Sequence, residues 1–198
     1  MNSTKSVIRP EDFLVNHLFE DSKCFLELAK EHEGKDPVTA RRYVRASIVT
    51  AYAALEAFVN AMLVILEDAW ELELHESAFM QEKRVELTED GYFEIRGRRF
   101  RSLEEKIRFL YWRGQRLSIP KGSAVWKALH DATELRNRLV HPRPRQVPYS
   151  KLTAATAKAC LIAAVKLTEM LGGRATISGI DSETLRGFEA NRASGKGN

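Results

Sequence analysis

The sequence is poor in cysteine, and it lacks metal-ligand clusters and glycine-rich phosphate loops. Two cysteines in 198 residues, Cys24 and Cys160, cannot build a disulfide framework, and they favour a reducing cytoplasm. No Cys and His residues stand at zinc-ligand spacing, and the eleven glycines form no phosphate-binding motif. These absences disfavour zinc fingers, P-loop NTPases and Rossmann dehydrogenases, and the sequence predicts no cofactor and no metal site.

Long apolar runs are also scarce. The longest, residues 51–66, is interrupted by Glu56 and Asn60, and it is shorter than the roughly 20 residues that a membrane-spanning helix needs. Residues 1–10 contain no apolar segment of the kind found in a secretory signal. Since 44% hydrophobic and 29% charged residues are ordinary for a globular protein, we expect a cytoplasmic protein that does not use a membrane.

Acidic and basic residues are unevenly distributed along the chain. Residues 53–90 contain ten acidic and two basic side chains, a local net charge of −8. Residues 91–151 contain fifteen basic and five acidic side chains, a local net charge of +10. This asymmetry predicts a basic surface that can hold a polyanion. Two oppositely charged faces that solubilise the fold, or that pair in a dimer, explain it equally well.

The spacing of apolar residues predicts helices. A helix over residues 11–33 ends at Gly34, and the next begins with Asp36 as N-cap and Pro37 at its first position. That second helix is long, because nine apolar residues spaced alternately four and three apart form one continuous seam. The seam consists of Val44, Ile48, Ala51, Leu55, Phe58, Met62, Ile65, Ala69 and Leu72. Three later helices are predicted over residues 102–113, 123–141 and 149–171.

A small β-hairpin is predicted within residues 73–101. Val85, Leu87, Phe93 and Ile95 alternate with polar residues on either side of Gly91. The predicted fold is therefore all-α, an antiparallel bundle of four to five helices with a small β-hairpin insertion. We expect an N-terminal arm over residues 1–10, the bundle over 11–172, and a partly disordered C-terminal extension over 173–198.

One predicted helix, residues 123–141, carries a polar residue where leucine would pack best. Its seam is formed by Val125, Leu129, Ala132 and Leu139. The seam position between Ala132 and Leu139 is occupied by Arg136. If the stripe is read one residue later along the helix, Asn137 occupies it instead. An unpaired buried guanidinium is costly, so this position must face a partner, a cleft or a bound anion. Asn137 and His141 lie one turn apart, although basic residues in a last turn are also common helix caps.

Two polar residues of the long helix are ambiguous in the same way. Glu56 and Asn60 lie one turn apart on one face. They either support the cleft at Arg136 or form a hydrogen bond between helices.

Residues 134–141 resemble the signature of the HEPN superfamily (higher eukaryotes and prokaryotes nucleotide-binding). In that signature an Arg and a polar residue are followed by a His, with four to six residues between Arg and His, at the end of a bundle helix. Arg136, Asn137 and His141 match it, and residues 53–60 resemble the second long helix of such domains. The similarity covers residues 11–171.

The resemblance implies a metal-independent endoribonuclease that works as a symmetric dimer with the two motifs facing each other across a cleft. His141 would activate a ribose 2′-hydroxyl, Arg136 would hold the phosphate and Asn137 would orient the site. The products would be a 2′,3′-cyclic phosphate and a 5′-hydroxyl end. The expected partners are RNA, a second copy of the chain, and an antitoxin or other protein of a toxin–antitoxin or phage-defence system.

The basic stretch around the motif adds candidate phosphate ligands, namely Arg138, Arg143 and Arg145. Some toxin members of the superfamily carry a modified Tyr two residues after the His, and here that position is Arg143, so regulation by tyrosine modification is in doubt. The alternative to a nuclease is a non-catalytic dimeric bundle that binds a nucleotide or a protein partner through Arg136 and His141.

Overall fold

The structure, a computed structural model, describes residues 14–69, 71–120, 122–141 and 149–172. These residues form helices and one small antiparallel sheet, which confirms the prediction of a mostly helical, bundle-like fold with a β-hairpin. The arm over residues 1–10 and the extension over 173–198 lie outside the described residues. The helices are α1 (Leu14–His32), α2 (Pro37–Ala69), α3 (Leu74–Met80), α4 (Leu103–Gln115), α5 (Ala124–Val140) and α6 (Ala154–Met170), and the strands are β1 (Lys83–Leu87) and β2 (Phe93–Arg98).

The predicted N-terminus of α2 is confirmed in detail. Gly34 has a φ of +92°, which an L side chain rarely adopts, and it follows the end of α1. Asp36 Oδ1 accepts hydrogen bonds from the backbone N–H groups of Val38 and Thr39, both at 3.1 Å. The hydrogen bonds from Thr39 are the main reason that the pKa of Asp36 lies below its ordinary value.

Two predicted helix boundaries are wrong, and one helix was not predicted. Helix α2 ends at Ala69 and does not reach Leu72. Helix α3 was not expected, because its seven residues are too few for a clear apolar period; a capping box between Glu73 and Glu76 starts it. Helix α6 begins at Ala154 instead of residue 149, because Thr153 Oγ1 accepts the N–H of Thr156 at 3.2 Å.

The chain divides into two compact units. The first unit comprises residues 1–57 and 120–198, and its described part contains α1, the beginning of α2, α5 and α6. The second unit comprises residues 58–119, which hold the end of α2, α3, the hairpin and α4. In the first unit, Ser22 of α1 donates through Oγ to the backbone carbonyl of Ser47 in α2 at 2.9 Å, and both serines are fully buried.

Helix α6 has the most complete burial in the first unit. Residues 160–168 are all buried, including Lys166 and Thr168, whose Oγ1 donates to the Ala164 carbonyl at 3.1 Å. The first turns of the helix are less completely covered, because Ala155 is exposed and Ala159 is only half-buried. The core of this unit surrounds the C-terminal half of α6.

The apolar seam of α2 follows the prediction only in the first unit. Val44, Ile48, Ala51 and Leu55 are buried there. In the second unit the buried residues are Val59, Leu63 and Leu66, each one position later than the predicted Phe58, Met62 and Ile65. A straight α-helix has 3.6 residues per turn, so a pattern with a 3.5-residue period drifts around it by about 20° per heptad. The predicted continuous seam is therefore wrong beyond Leu55.

Helix α2 also bears on the membrane prediction. Its segment Pro37–Glu67 is long and apolar enough, by length and composition, to cross a membrane. The prediction considered only residues 51–66, and the apolar turns before residue 51 lengthen the segment beyond that run. Length and composition alone do not distinguish a membrane-spanning helix from the core helix of a soluble protein, because both meet this criterion. Two of the apolar residues of α2, Ile48 and Leu55, are fully buried in the first unit.

The β-hairpin is anchored at its base by a largely covered arginine. Leu87 pairs with Phe93 and Val85 with Ile95, as the alternation predicts. After β2, Arg101 donates through Nη2 to the carbonyl of Lys83 at 3.4 Å. Its guanidinium carbon lies 4.7 Å from the centre of the Phe79 ring, and its side chain is only 11% exposed. Arg101 thus joins the first strand to α3 within the second unit.

Candidate functional site

Helix α5 places the residues of the candidate motif. It begins at the N-cap Ser123, whose Oγ accepts the N–H of Trp126 at 3.2 Å. Arg136 is half-buried and continues the buried stripe of this helix, whereas Asn137 is exposed. The structure therefore agrees with the register that puts Arg136 in the seam. The buried residues of the stripe are Val125, Ala128, Leu129, Ala132 and Leu135.

The guanidinium of Arg136 is held from two sides. Its carbon lies 5.1 Å from the centre of the Tyr52 ring, and Nη2 lies 3.9 Å from Glu56 Oε2, both on α2. On its own helix, Nη1 donates to Asn137 Oδ1 at 3.1 Å. The Arg136 side chain is 28% exposed and that of Glu56 is 45% exposed, so water screens this ion pair. Such a pair contributes about 0–1 kcal/mol, and the ring contact about 0.5–1 kcal/mol.

His141 caps the C-terminus of α5. Its backbone N–H donates to the Asn137 carbonyl at 2.9 Å, and its φ of −121° and ψ of 66° end the helix as predicted. The imidazole is exposed, and among the residues that the structure describes it makes no side-chain hydrogen bond or ion pair. Asn137 therefore contacts Arg136 through its side chain and His141 through its backbone.

The other predicted phosphate ligands lie elsewhere or outside the described residues. Arg138 forms an ion pair with Glu134 and lies on a different side of α5 from Arg136, because two residues correspond to about 200° of rotation. Arg143 and Arg145 fall in the segment 142–148, outside the described residues. The structure thus brings Arg136, Asn137 and His141 to one end of α5 and turns Arg138 away from Arg136.

Arg138 lines a groove between α5 and α6 that sequence reasoning did not find. The groove has a volume of about 430 Å³ and combines small apolar side chains with two acids and two bases. The spacing of Glu134 and Arg138, four residues apart, could have predicted the ion pair between them. It could not have predicted the groove, because the groove depends on how two helices pack. The lining residues are Ala128, Asp131, Glu134, Leu135, Arg138, Lys151, Ala155, Thr156, Ala159 and Cys160.

The two supporting residues predicted on α2 have different contacts. Glu56 faces Arg136, as described above. Asn60 belongs to the second unit, where its Oδ1 accepts a hydrogen bond from Lys106 Nζ of α4 at 3.2 Å. Lys106 also pairs with Glu82 at 2.8 Å. Asn60 therefore forms a hydrogen bond between helices.

Tyr52 is the residue of the α5 site that sequence reasoning missed. It is 8% exposed and lies one turn before Glu56, so both side chains share one face of α2. That spacing was visible in the sequence, but it did not indicate which helix this face meets.

Within the described ranges, no three His, Cys, Asp or Glu side chains are grouped as a metal site would need. Comparison of the chain with known protein families, with curated proteins and with solved structures finds no match. The fold therefore places the protein in the class of mostly helical, bundle-like proteins with a small β-hairpin.

Proposed function

We propose that the protein is a HEPN-like, metal-independent endoribonuclease of the cytoplasm. The observation that carries this proposal is the half-buried guanidinium of Arg136, held beside the last turn of α5, which His141 caps. A cation and an exposed imidazole at one helix end can catalyse RNA cleavage by its own 2′-hydroxyl, the imidazole as a general base and the cation by stabilising the charge on the phosphate. The resemblance of residues 134–141 to the HEPN signature supports the same chemistry and suggests a role in a toxin–antitoxin or phage-defence system.

The proposed reaction uses the RNA's own 2′-hydroxyl as nucleophile. The imidazole of His141 accepts the hydroxyl proton as the 2′-oxygen attacks the adjacent phosphorus. The bond from phosphorus to the 5′-oxygen breaks, and that oxygen takes a proton as it leaves. The products are a 2′,3′-cyclic phosphate and a 5′-hydroxyl end, and no metal ion takes part.

Arg136 would stabilise the negative charge that develops on the phosphate oxygens. Its pairing with Glu56 is long and partly exposed, so a phosphate, which accepts two parallel N–H bonds from a guanidinium, can compete for it. Asn137 Oδ1 fixes the orientation of the guanidinium from the same helix. In a homodimer, the partner's copy of His141 would supply the proton to the leaving oxygen.

The test is cleavage of total RNA and tRNA in excess EDTA by the wild type, Arg136→Ala and His141→Ala. We expect the wild type alone to cleave and to leave cyclic phosphate ends. Loss of His141 should slow cleavage by about 10²–10⁴-fold, and loss of Arg136 by about 10²–10³-fold. Arg42→Ala and His17→Ala, which change exposed residues of α2 and α1, are the matched controls and should cleave at the wild-type rate.

All variants must elute at the wild-type oligomer size, so that lost activity is not lost folding. Cleavage at the wild-type rate in either motif variant, or loss of wild-type cleavage when EDTA is added, would contradict the proposal.

A second candidate function is a non-catalytic bundle that binds a nucleotide or a protein. The ion pair with Glu56 and the contact with Tyr52 favour it, because they give Arg136 a structural role without any substrate. Absence of cleavage by wild type and variants, together with little RNA binding at any salt concentration, would select this candidate.

A further inference from the structure

The base of the β-hairpin brings basic side chains together across two strands. Arg84 lies opposite Arg96, and Lys83 lies opposite Arg98, and all four residues are exposed. Like charges directly opposite each other destabilise an antiparallel pair, and a two-stranded sheet has little stability to spare. Within the free protein this repulsion is relieved only where an acid lies close by, and an anion bound across the basic side chains would relieve the rest.

Only part of this charge is neutralised within the protein. Arg96 pairs with Glu94 on its own strand, with both Nε and Nη2 at 2.8 Å from Oε2. In the part of the chain that the structure describes, Lys83, Arg84 and Arg98 form no ion pair. The nearest acid in the chain, Glu82, is engaged by Lys106. The acidic pair Glu86 and Glu94 lies further toward the hairpin tip, so the positive excess is confined to the base.

An exposed aromatic ring adjoins these cations. Phe100 is 80% exposed and stands two residues after Arg98. The next residue, Arg101, folds inward onto Phe79, which fixes the backbone at the point where Phe100 is displayed. Cations that follow a phosphate backbone, together with an aromatic ring open for stacking, are the two elements of single-strand nucleic-acid binding sites.

We propose that the base of the hairpin binds single-stranded RNA. Lys83, Arg84 and Arg98 hold phosphates, and Phe100 stacks on an unpaired base. A duplex keeps its bases stacked internally, so it would use only the phosphate contacts. The choice of RNA rests on the proposed function, whereas the preference for a single-stranded polyanion rests on the hairpin alone.

The test is fluorescence anisotropy with a labelled 2′-O-methyl RNA of about 12 nucleotides, a length within the range of known single-strand sites. This probe has no free 2′-hydroxyl, so its binding is measured without cleavage. The result therefore tests the hairpin site separately from the proposed nuclease activity. The variants are the double Arg84→Ala/Arg98→Ala and the single Phe100→Ala. The control is Arg42→Ala/Arg45→Ala, which removes the same charge from exposed positions of α2.

We expect the hairpin double variant to weaken binding by about tenfold or more and to reduce the slope of log K against log salt by about 1.4. Phe100→Ala should weaken single-strand binding by about tenfold and leave duplex binding unchanged. The α2 control should change affinity by less than about threefold, because it alters only net charge. Absence of wild-type binding, equal losses in the two double variants, or an unchanged affinity in Phe100→Ala would each overturn the proposal.

Discussion

At the scale of single residues, the two cysteines have opposite surroundings. Cys24 is exposed on α1, whereas Cys160 is buried in α6 at the floor of the groove between α5 and α6. Burial, with a smaller contribution from the charge of Asp131, raises the pKa of the Cys160 thiol to about 12. Since the thiolate is the reactive form, the two residues should differ strongly in reactivity.

We therefore expect a thiol reagent at pH 8 to modify Cys24 of the native protein quickly and Cys160 slowly. With a pKa of about 12, only about one Cys160 thiol in ten thousand is ionised at that pH. Labelling of Cys160→Ser should be fast, and labelling of Cys24→Ser should be slow until urea is added. Equal rates in the two native variants would show that Cys160 is accessible and ionisable.

The residue scale also shows how far sequence reasoning reaches into the site. Arg136 was predictable, because a charged residue interrupted an apolar period that its own helix defines. Its partner Tyr52 was not, because a contact between helices depends on how they pack and not on spacing within either one. Asn60 illustrates the same point, since its contact with Lys106 joins residues 46 positions apart.

At the scale of elements, helix α4 depends on a capping box. Ser102 Oγ accepts the N–H of Glu105 at 3.2 Å, and Glu105 Oε2 accepts the N–H of Ser102 at 2.9 Å. The hydrogen bond from the Ser102 backbone is the main reason that the pKa of Glu105 lies below its ordinary value. The carboxylate therefore stabilises the fold above its unfolded pKa, and this stabilisation is lost as the pH falls through the lower folded value.

Ser102→Ala should lower the free energy of unfolding by about 1 kcal/mol at pH 7. The effect should be smaller at an acid pH below the lowered pKa of Glu105, where protonation of the carboxylate already weakens the cap. Urea unfolding followed by circular dichroism at both pH values measures it, with Ser118→Ala at an exposed position after α4 as the control. A cost that is the same at both pH values would mean that the Ser102 hydroxyl and the Glu105 carboxylate cap the helix independently of each other.

Local signals explain which elements were predictable. The caps at Asp36, Ser102 and Ser123 involve residues two or three positions apart, so the sequence reveals them directly. The seam of α2 changes register near Leu55, which no local signal marks, because the residues that cover each half of the helix are distant in sequence. For the same reason, the division of the chain after Ala57 was not visible in composition.

At the scale of the whole molecule, stability should reside mainly in buried leucine and isoleucine side chains. Leu161 of α6 is fully buried in the first unit, whereas Leu117 after α4 is 62% exposed. Leu161→Ala should therefore lower the free energy of unfolding by about 2–5 kcal/mol. Leu117→Ala makes the same chemical change and should alter it by less than about 0.5 kcal/mol. Chemical denaturation of both variants measures the difference, and similar costs would refute the assignment of α6 to the core.

The burial of α6 also has an evolutionary consequence. Nine consecutive residues, 160–168, lie inside the protein, so this segment of the helix has no side on which neutral substitutions can accumulate. A one-residue insertion there would rotate every following side chain by about 100° and place each in a neighbour's position. Sequence change in this segment is therefore restricted to exchanges that conserve volume, with compensating changes in the helices around it.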